Sequence, residues 1–108
     1  VRRGDVVTVA TPGDYGKPRP AVIVQSDVFP EDHASVVVCQ MTTVLRDADF
    51  RITIEPSTEN GLREQSQVMA DKPATVRRER IGQRIGSLAA HDMRRLNVAL
   101  ALVMGLAD

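Results

Sequence analysis

Arg19 stands between Pro18 and Pro20 in the stretch GKPRPAVIVQSD, residues 16–27. Each proline fixes its own φ, and Pro20 also pushes Arg19 toward extended geometry, so a permanent cation is aimed by a backbone with little freedom left to lose. A pre-aimed charge suits a site that meets an anion without reorganising. The alternative is a surface arginine whose alkyl stem packs on the body of the domain. Thr42 and Thr43 close a second apolar run, SVVVCQMT at 35–42. Their hydroxyls either satisfy the local backbone at a strand end or, if that end lies beside Arg19, converge with the guanidinium on two oxygens of one phosphate.

Other reactive groups are few. His33 falls in a polar connector and His91 in the first turn of a helix, so both are expected to face solvent rather than act as an acid–base pair. Cys39, in the middle of VVVCQM, reads as a small core residue and has no second cysteine to pair with. Two histidines fifty-eight positions apart make no metal-ligand cluster, so neither metal nor cofactor is expected. Tyr15, a lone aromatic in an irregular loop, either stacks a base, a contact worth roughly 1–3 kcal/mol, or packs down over the domain. Lys17, Arg46, Arg51, Arg84 and the RRER segment with Arg77 and Arg78 form either a track for single-stranded RNA or an ordinary solvated face.

The elements that position these groups are mostly strands. DVVTVA (5–10), PAVIVQS (20–26), SVVVCQMT (35–42) and FRITIE (50–55) are β-branched or alternating runs bounded by turn residues. In the last of these, Phe50, Ile52 and Ile54 are expected on one face, with Arg51, Thr53 and Glu55 on the other. PSTENG (56–61) is a turn with Gly61 suited to positive φ. A strand around SQVMAD follows and gives way to the polar stretch KPATVRRER, and IGQRIGSL is ambiguous between strand and loop because of its two glycines. From Ala90 to Met104 the spacing of Met93, Leu96, Leu100, Val103 and Met104 predicts a helix capped at Gly105. Its second half is apolar nearly all round, which calls for cover on more than one side, from the barrel or from another subunit. Five to seven short strands and one closing helix predict a mainly β fold, a small, strongly bent antiparallel barrel.

The chain has 108 residues, enough for a single domain over 1–108. Fourteen basic residues balance fourteen acidic ones, so any nucleic-acid footprint must come from local clustering. Twelve of those fourteen cations are arginines, the side chain whose planar fork grips phosphate through two hydrogen bonds. The longest apolar stretch, VALALVMGLA, is far shorter than the roughly 20 residues of a membrane span, and VRRGD lacks the apolar core of a signal peptide. A soluble, cytoplasmic protein is expected, with Val1 the product of trimming or of an alternative start codon.

RRGDVVTVATPGDYGKPRPAVIVQSD, then VVVCQMTT, then GLREQSQVMADKPATV and RIGSLAAHDMRRLNVALALVMGL, resemble the MazF/PemK toxins of type II toxin–antitoxin pairs in order and over essentially the whole chain. The resemblance implies an SH3-like barrel of the CcdB/PemK type. It also implies a homodimer, single-stranded RNA (mRNA) in a groove across that dimer, and metal-independent, sequence-selective endoribonuclease action. A cognate antitoxin protein with a flexible acidic segment is the implied partner. The family's central active-site residues, carried over by motif, are Arg19 and Thr42. One branch adds an aspartate after the Ser-x-Val strand, matched by Asp71, although Met69 replaces that branch's arginine and the short first loop lacks its histidine. CcdB-like gyrase poisons share the barrel type but use a tryptophan-containing C-terminal tail, and this chain has no tryptophan. An inactive relative kept for partner binding is the third alternative.

Overall fold

Valine- and isoleucine-rich runs supply the strands, because branched side chains fit a pleated surface covered on both faces. The computed structural model describes residues 1–10 and 17–108; the first loop with Tyr15 lies outside the described residues. The strands are β1 (Asp5–Val9), β2 (Arg19–Ile23), β3 (Ser35–Thr42), β4 (Arg51–Ile54), β5 (Ser66–Arg77) and β6 (Ile81–Ser87), and helix α1 (Ala90–Val103) follows. They form one sheet in the order β4-β5-β3-β2-β1-β6, and each neighbouring pair is antiparallel.

Two edges remain, β4 and β6, and the turn after β4 brings them together. Buried Asn60 folds this turn: its Oδ1 accepts from the Ser57 and Leu62 N–H groups and its Nδ2 donates to the Glu55 carbonyl. The turn then docks on β6, where the Ser87 N–H donates to the Glu59 carbonyl at 2.9 Å. Gly61, at φ 69°, and Gly86 permit this approach: a Cβ on Gly61 would overlap the Ile85 carbonyl, and one on Gly86 would overlap the Glu59 carbonyl. A small sheet thereby hides its edges and becomes a barrel.

Both faces of the sheet are apolar. Val6, Val22, Cys39, Met41, Ile52, Ile54, Val68 and Ala70 pack under the helix with Leu96 and Ala99, while Val7, Val9, Ala21, Ile23, Val36 and Val38 form a second layer on the other side. The helix ends as its spacing predicts: Gly105 has φ 72°, and the Leu106 N–H reaches back to the Ala101 carbonyl at 2.8 Å.

Four expectations need correction. β5 does not stop at Asp71 but continues to Arg77, since the backbone of KPATVR pairs with Ser35–Cys39 whatever its side-chain polarity. The ambiguous IGQRIGSL holds strand β6, because Gly82 leaves room for the Thr8 hydroxyl and Gly86 for the Glu59–Asn60 backbone. β2 ends at Ile23 rather than Ser26; beyond it the Gln25 side chain takes over the pairing, accepting from the Val37 N–H and donating to the Ser35 carbonyl. Phe50 is 37% exposed, unlike Ile52 and Ile54. It lies just outside β4, where its carbonyl accepts from the Ala70 N–H.

Candidate functional site

β2 and β3 pair with Ala21 opposite Gln40, Val22 opposite Cys39 and Ile23 opposite Val38. The pairing ends there, with Arg19 two residues before Ala21 and Thr42 two residues after Gln40, so alternation puts both at the same end of the β2–β3 pair and on one face. On its other side Thr42 pairs with Gln67, and Gln67 pairs with Thr53 of β4. Directly opposed residues project to the same face. Arg19, Thr42, Gln67 and Thr53 therefore form one row across four strands, on the face away from the helix. Pro18 and Pro20 line a cavity of about 540 Å³ on the reverse side, and alternation turns Arg19 away from it.

Arg19 is exposed and Thr42 half-buried. The Thr42 hydroxyl accepts from the Val44 N–H at 3.1 Å, so the strand-end capping bond exists. A hydroxyl has one proton and a second lone pair in addition, so capping leaves Thr42 able to donate to an oxyanion. Thr43 is exposed just past the strand end and lines the 540 Å³ cavity rather than the row.

Asp71 lies in a β-bulge of β5. Cys39 pairs with Pro73 and Met41 with Val68, so residues 69–72 of β5 all oppose the single residue Gln40. Bulges re-aim side chains next to sites. One Asp71 carboxylate oxygen, Oδ1, is buried and accepts from no described residue. Cys39 is fully buried, and burial first, then the nearby Asp71 charge, pushes its thiol up to about 11. It is an inert core thiol, as its place in the run predicts.

The remaining basic candidates divide into two groups. Lys17 is exposed two residues before Arg19. Arg46 sits on the loop after Thr43, with its backbone held by Gln67 and its side chain exposed. Arg51 is half-buried and stabilises the same loop, donating from Nη1 to the Val44 carbonyl at 3.5 Å. Arg77 and Arg78 lie elsewhere. Arg77 pairs with Ser35 at the opposite end of β3, about 23 Å from Thr42 at the rise of an antiparallel strand. Arg78 donates from Nε to the His33 carbonyl at 2.6 Å. Arg84 pairs with buried Asp5 at 3.1 Å. Within one chain Arg78 and Arg84 are structural ties, Arg77 is an exposed cation at the far end of the sheet, and none of the three is part of the row. His91 is exposed beside Asp92, as expected, whereas His33 is half-buried, its ring centroid 5.1 Å from that of Phe29.

Sequence reasoning missed Gln67. Its signal was available: an amide between Ser66 and Val68, in a strand with core on one side and a covering loop on the other, must find buried partners.

Comparison with known proteins places the chain in a family. Residues 2–104 match the family described as PemK-like, MazF-like toxin of type II toxin-antitoxin system. The chain is 46% identical over 109 residues to the probable endoribonuclease MazF of Mycolicibacterium smegmatis, covering 99% of each. Among solved structures it superposes with TM-score 0.83 and 27% identity on an endoribonuclease from a mycobacterial species in complex with its cognate antitoxin, covering 98% of this chain and 96% of that one. A MazE-MazF structure from Deinococcus radiodurans, at TM-score 0.80 and 18% identity over 97% of this chain and 95% of that one, shares the fold.

Proposed function

The chain belongs to the PemK-like, MazF-like toxins of type II toxin–antitoxin systems, and from that premise we propose that it is a metal-independent endoribonuclease acting on single-stranded mRNA at a short sequence motif. The observation that supports the reading is the β2–β3 pairing, whose one end carries both Arg19 and Thr42 on a single face.

RNA brings its own nucleophile. A protein that aligns the 2′-hydroxyl in line with the scissile phosphorus gains an orientation advantage of up to roughly 7–11 kcal/mol. As the 2′-oxygen bonds to phosphorus, negative charge grows on the non-bridging oxygens. The Arg19 guanidinium and the Thr42 hydroxyl stabilise it through charge-assisted hydrogen bonds. A guanidinium is a donor only and no base, so the role of Arg19 is charge stabilisation and a hydrogen bond to the leaving 5′-oxygen, which takes its proton from solvent. Asp71 takes the 2′-hydroxyl proton. The products are a 2′,3′-cyclic phosphate and a 5′-hydroxyl. Lys17, Arg46 and Arg51 hold flanking nucleotides, with Tyr15 as a stacking platform, while Thr43, on the reverse side, takes no part.

The 1–108 chain acts as one domain and as a homodimer. Val98, Leu102, Met104 and Leu106, exposed by half or more, favour a second copy over the helix, since a monomer leaves this stripe in water. Across that dimer Arg77 and Arg78 extend the RNA track. The antitoxin inserts an acidic segment over the arginines and blocks the groove. The toxin works in the cytoplasm, where mRNA is found; among the described residues no helix is long and apolar enough to cross a membrane.

Incubation of the purified protein with a defined RNA in excess chelator, with both fragment ends mapped, tests the reading. Discrete cuts ending in cyclic phosphate are expected. Intact RNA would overturn the nuclease, and cuts that vanish with chelator would overturn the metal-free mechanism. A gyrase poison would leave the RNA whole and inhibit supercoiling instead.

A further inference from the structure

Gln67 is only 5% exposed, and its amide is fully engaged. Oε1 accepts from the Arg46 N–H at 3.0 Å, and Nε2 donates to the Arg46 carbonyl at 2.9 Å and to the Thr53 hydroxyl at 3.1 Å. The side chain thus grips both main-chain groups of one residue, as a neighbouring strand would. That residue lies in the loop leaving the Thr42 end of β3. Because Gln67 pairs directly with Thr42 and shares its face, the grip folds the loop back over the row and fixes the Arg46 backbone over Gln67, one strand from Thr42. The Arg46 guanidinium makes no hydrogen bond or ion pair with any described residue and is exposed. Arg51 secures the same loop from the side through the Val44 carbonyl.

We infer that Gln67 is a positioning residue for RNA binding: by clamping the Arg46 backbone it holds that guanidinium on the phosphate next to the one met by Arg19 and Thr42. The inference rests on the endoribonuclease reading above. A loop residue held at one backbone unit by two hydrogen bonds loses little freedom when its side chain binds, so the cation's attraction is not spent on ordering the loop. Gln67 touches no substrate itself. Its influence passes through Arg46 and is expected in affinity and salt dependence rather than in the chemical step.

The test compares wild type, Gln67→Met, Arg46→Ala and the double variant. Two measurements are made: steady-state cleavage of an RNA oligonucleotide, and binding of the same oligonucleotide with a 2′-deoxy sugar at the scissile position across a salt series. Methionine fills the space of glutamine but cannot bridge Arg46. Gln67→Met is expected to raise KM and Kd about tenfold, as for loss of one charge-assisted contact, with kcat within about twofold. The log Kd versus log salt slope should fall by about 0.7, one phosphate contact on a single strand. In the Arg46→Ala background Gln67→Met should add almost nothing, because both remove the same contact. The inference is overturned if the two effects multiply, if kcat falls while the salt slope holds, or if Gln67→Met binds like wild type. Should the methionine variant fail to fold by circular dichroism, Gln67→Asn, which draws the amide back by one methylene, carries the same expectations. Wild type that neither cuts nor binds RNA would sink the endoribonuclease reading and this inference together. Wild type that cuts, with a silent Gln67, removes the inference alone.

Discussion

At the scale of single residues, the proposed mechanism asks different amounts of the same work from Arg19 and Thr42. Arg19→Ala is expected to lower kcat by about 10²–10³-fold, the cost of losing a preorganised oxyanion donor. Because Arg19 is exposed at a strand start, the thermal midpoint should stay within a few degrees of wild type. Thr42→Ala removes a neutral donor and the cap on the Val44 N–H, so a smaller loss of kcat with a slight destabilisation is expected; parallel kinetics and melting curves on both variants check the order. Cys39 supplies a pH prediction. Its folded value is raised from 9.0 to about 11, so the native state holds this proton more tightly than the unfolded chain does. The stabilisation is fully present below pH 9 and is lost as pH rises through 11, with a limiting slope of about 1.4 kcal/mol per pH unit. Denaturant titrations between pH 8 and 11 should show this decline in wild type and a shallower one in Cys39→Ala. The positions of Cys39 in an apolar run and of Arg19 between prolines were readable from the sequence; the partners of Thr42 were not, because pairing register is a property of two strands at once.

At the scale of elements, buried amides and glycines close what the strands leave open. Gln25 extends β2 against β3, Gln67 pins the loop after β3, and Asn60 folds the turn that joins the two sheet edges. Asn60→Ala leaves the Ser57 and Leu62 N–H groups without their acceptor and should cost about 2–3 kcal/mol by denaturant titration. Gly86→Ala should cost roughly 1–3 kcal/mol for overpacking against the Glu59 carbonyl. Neither residue belongs to the row that holds Thr42, Gln67 and Thr53, so any fall in activity should track the fraction unfolded. β1, β3 and α1 were legible in their periodicity. The second half of β5 was not, since a strand whose outward side chains are charged has the composition of a loop, and only its partner's backbone reveals the ladder.

At the scale of the whole molecule, a chain of zero formal net charge has to bind a polyanion through placement rather than bulk attraction. RNA affinity is therefore expected to depend on a few contacts, with a modest salt slope. Dimerisation is the second prediction at this scale. Leu102 is 51% exposed and Val98 72% exposed on one helix flank; Leu102→Glu puts a charge where a second copy is expected to pack. Sedimentation at micromolar concentration should show a dimer for wild type and a monomer for the variant, and a monomeric wild type would contradict the expectation.

Amino-acid order alone determined that this chain forms short antiparallel strands closed by a C-terminal helix, that its thiol lies in the core, and that its family is the MazF/PemK toxins. These follow from local properties: periodicity, turn chemistry, and motifs confined to a few residues each. Tertiary structure alone decided that Arg19 and Thr42 share one end of the β2–β3 pair, that residues 69–72 of β5 bulge against Gln40, that Arg77 and Arg78 lie at the far end of β3, and that Gln67 holds Arg46. Each of these is set by strand register, and register comes from hydrogen bonds and side-chain packing between segments tens of residues apart, which no local window of sequence contains.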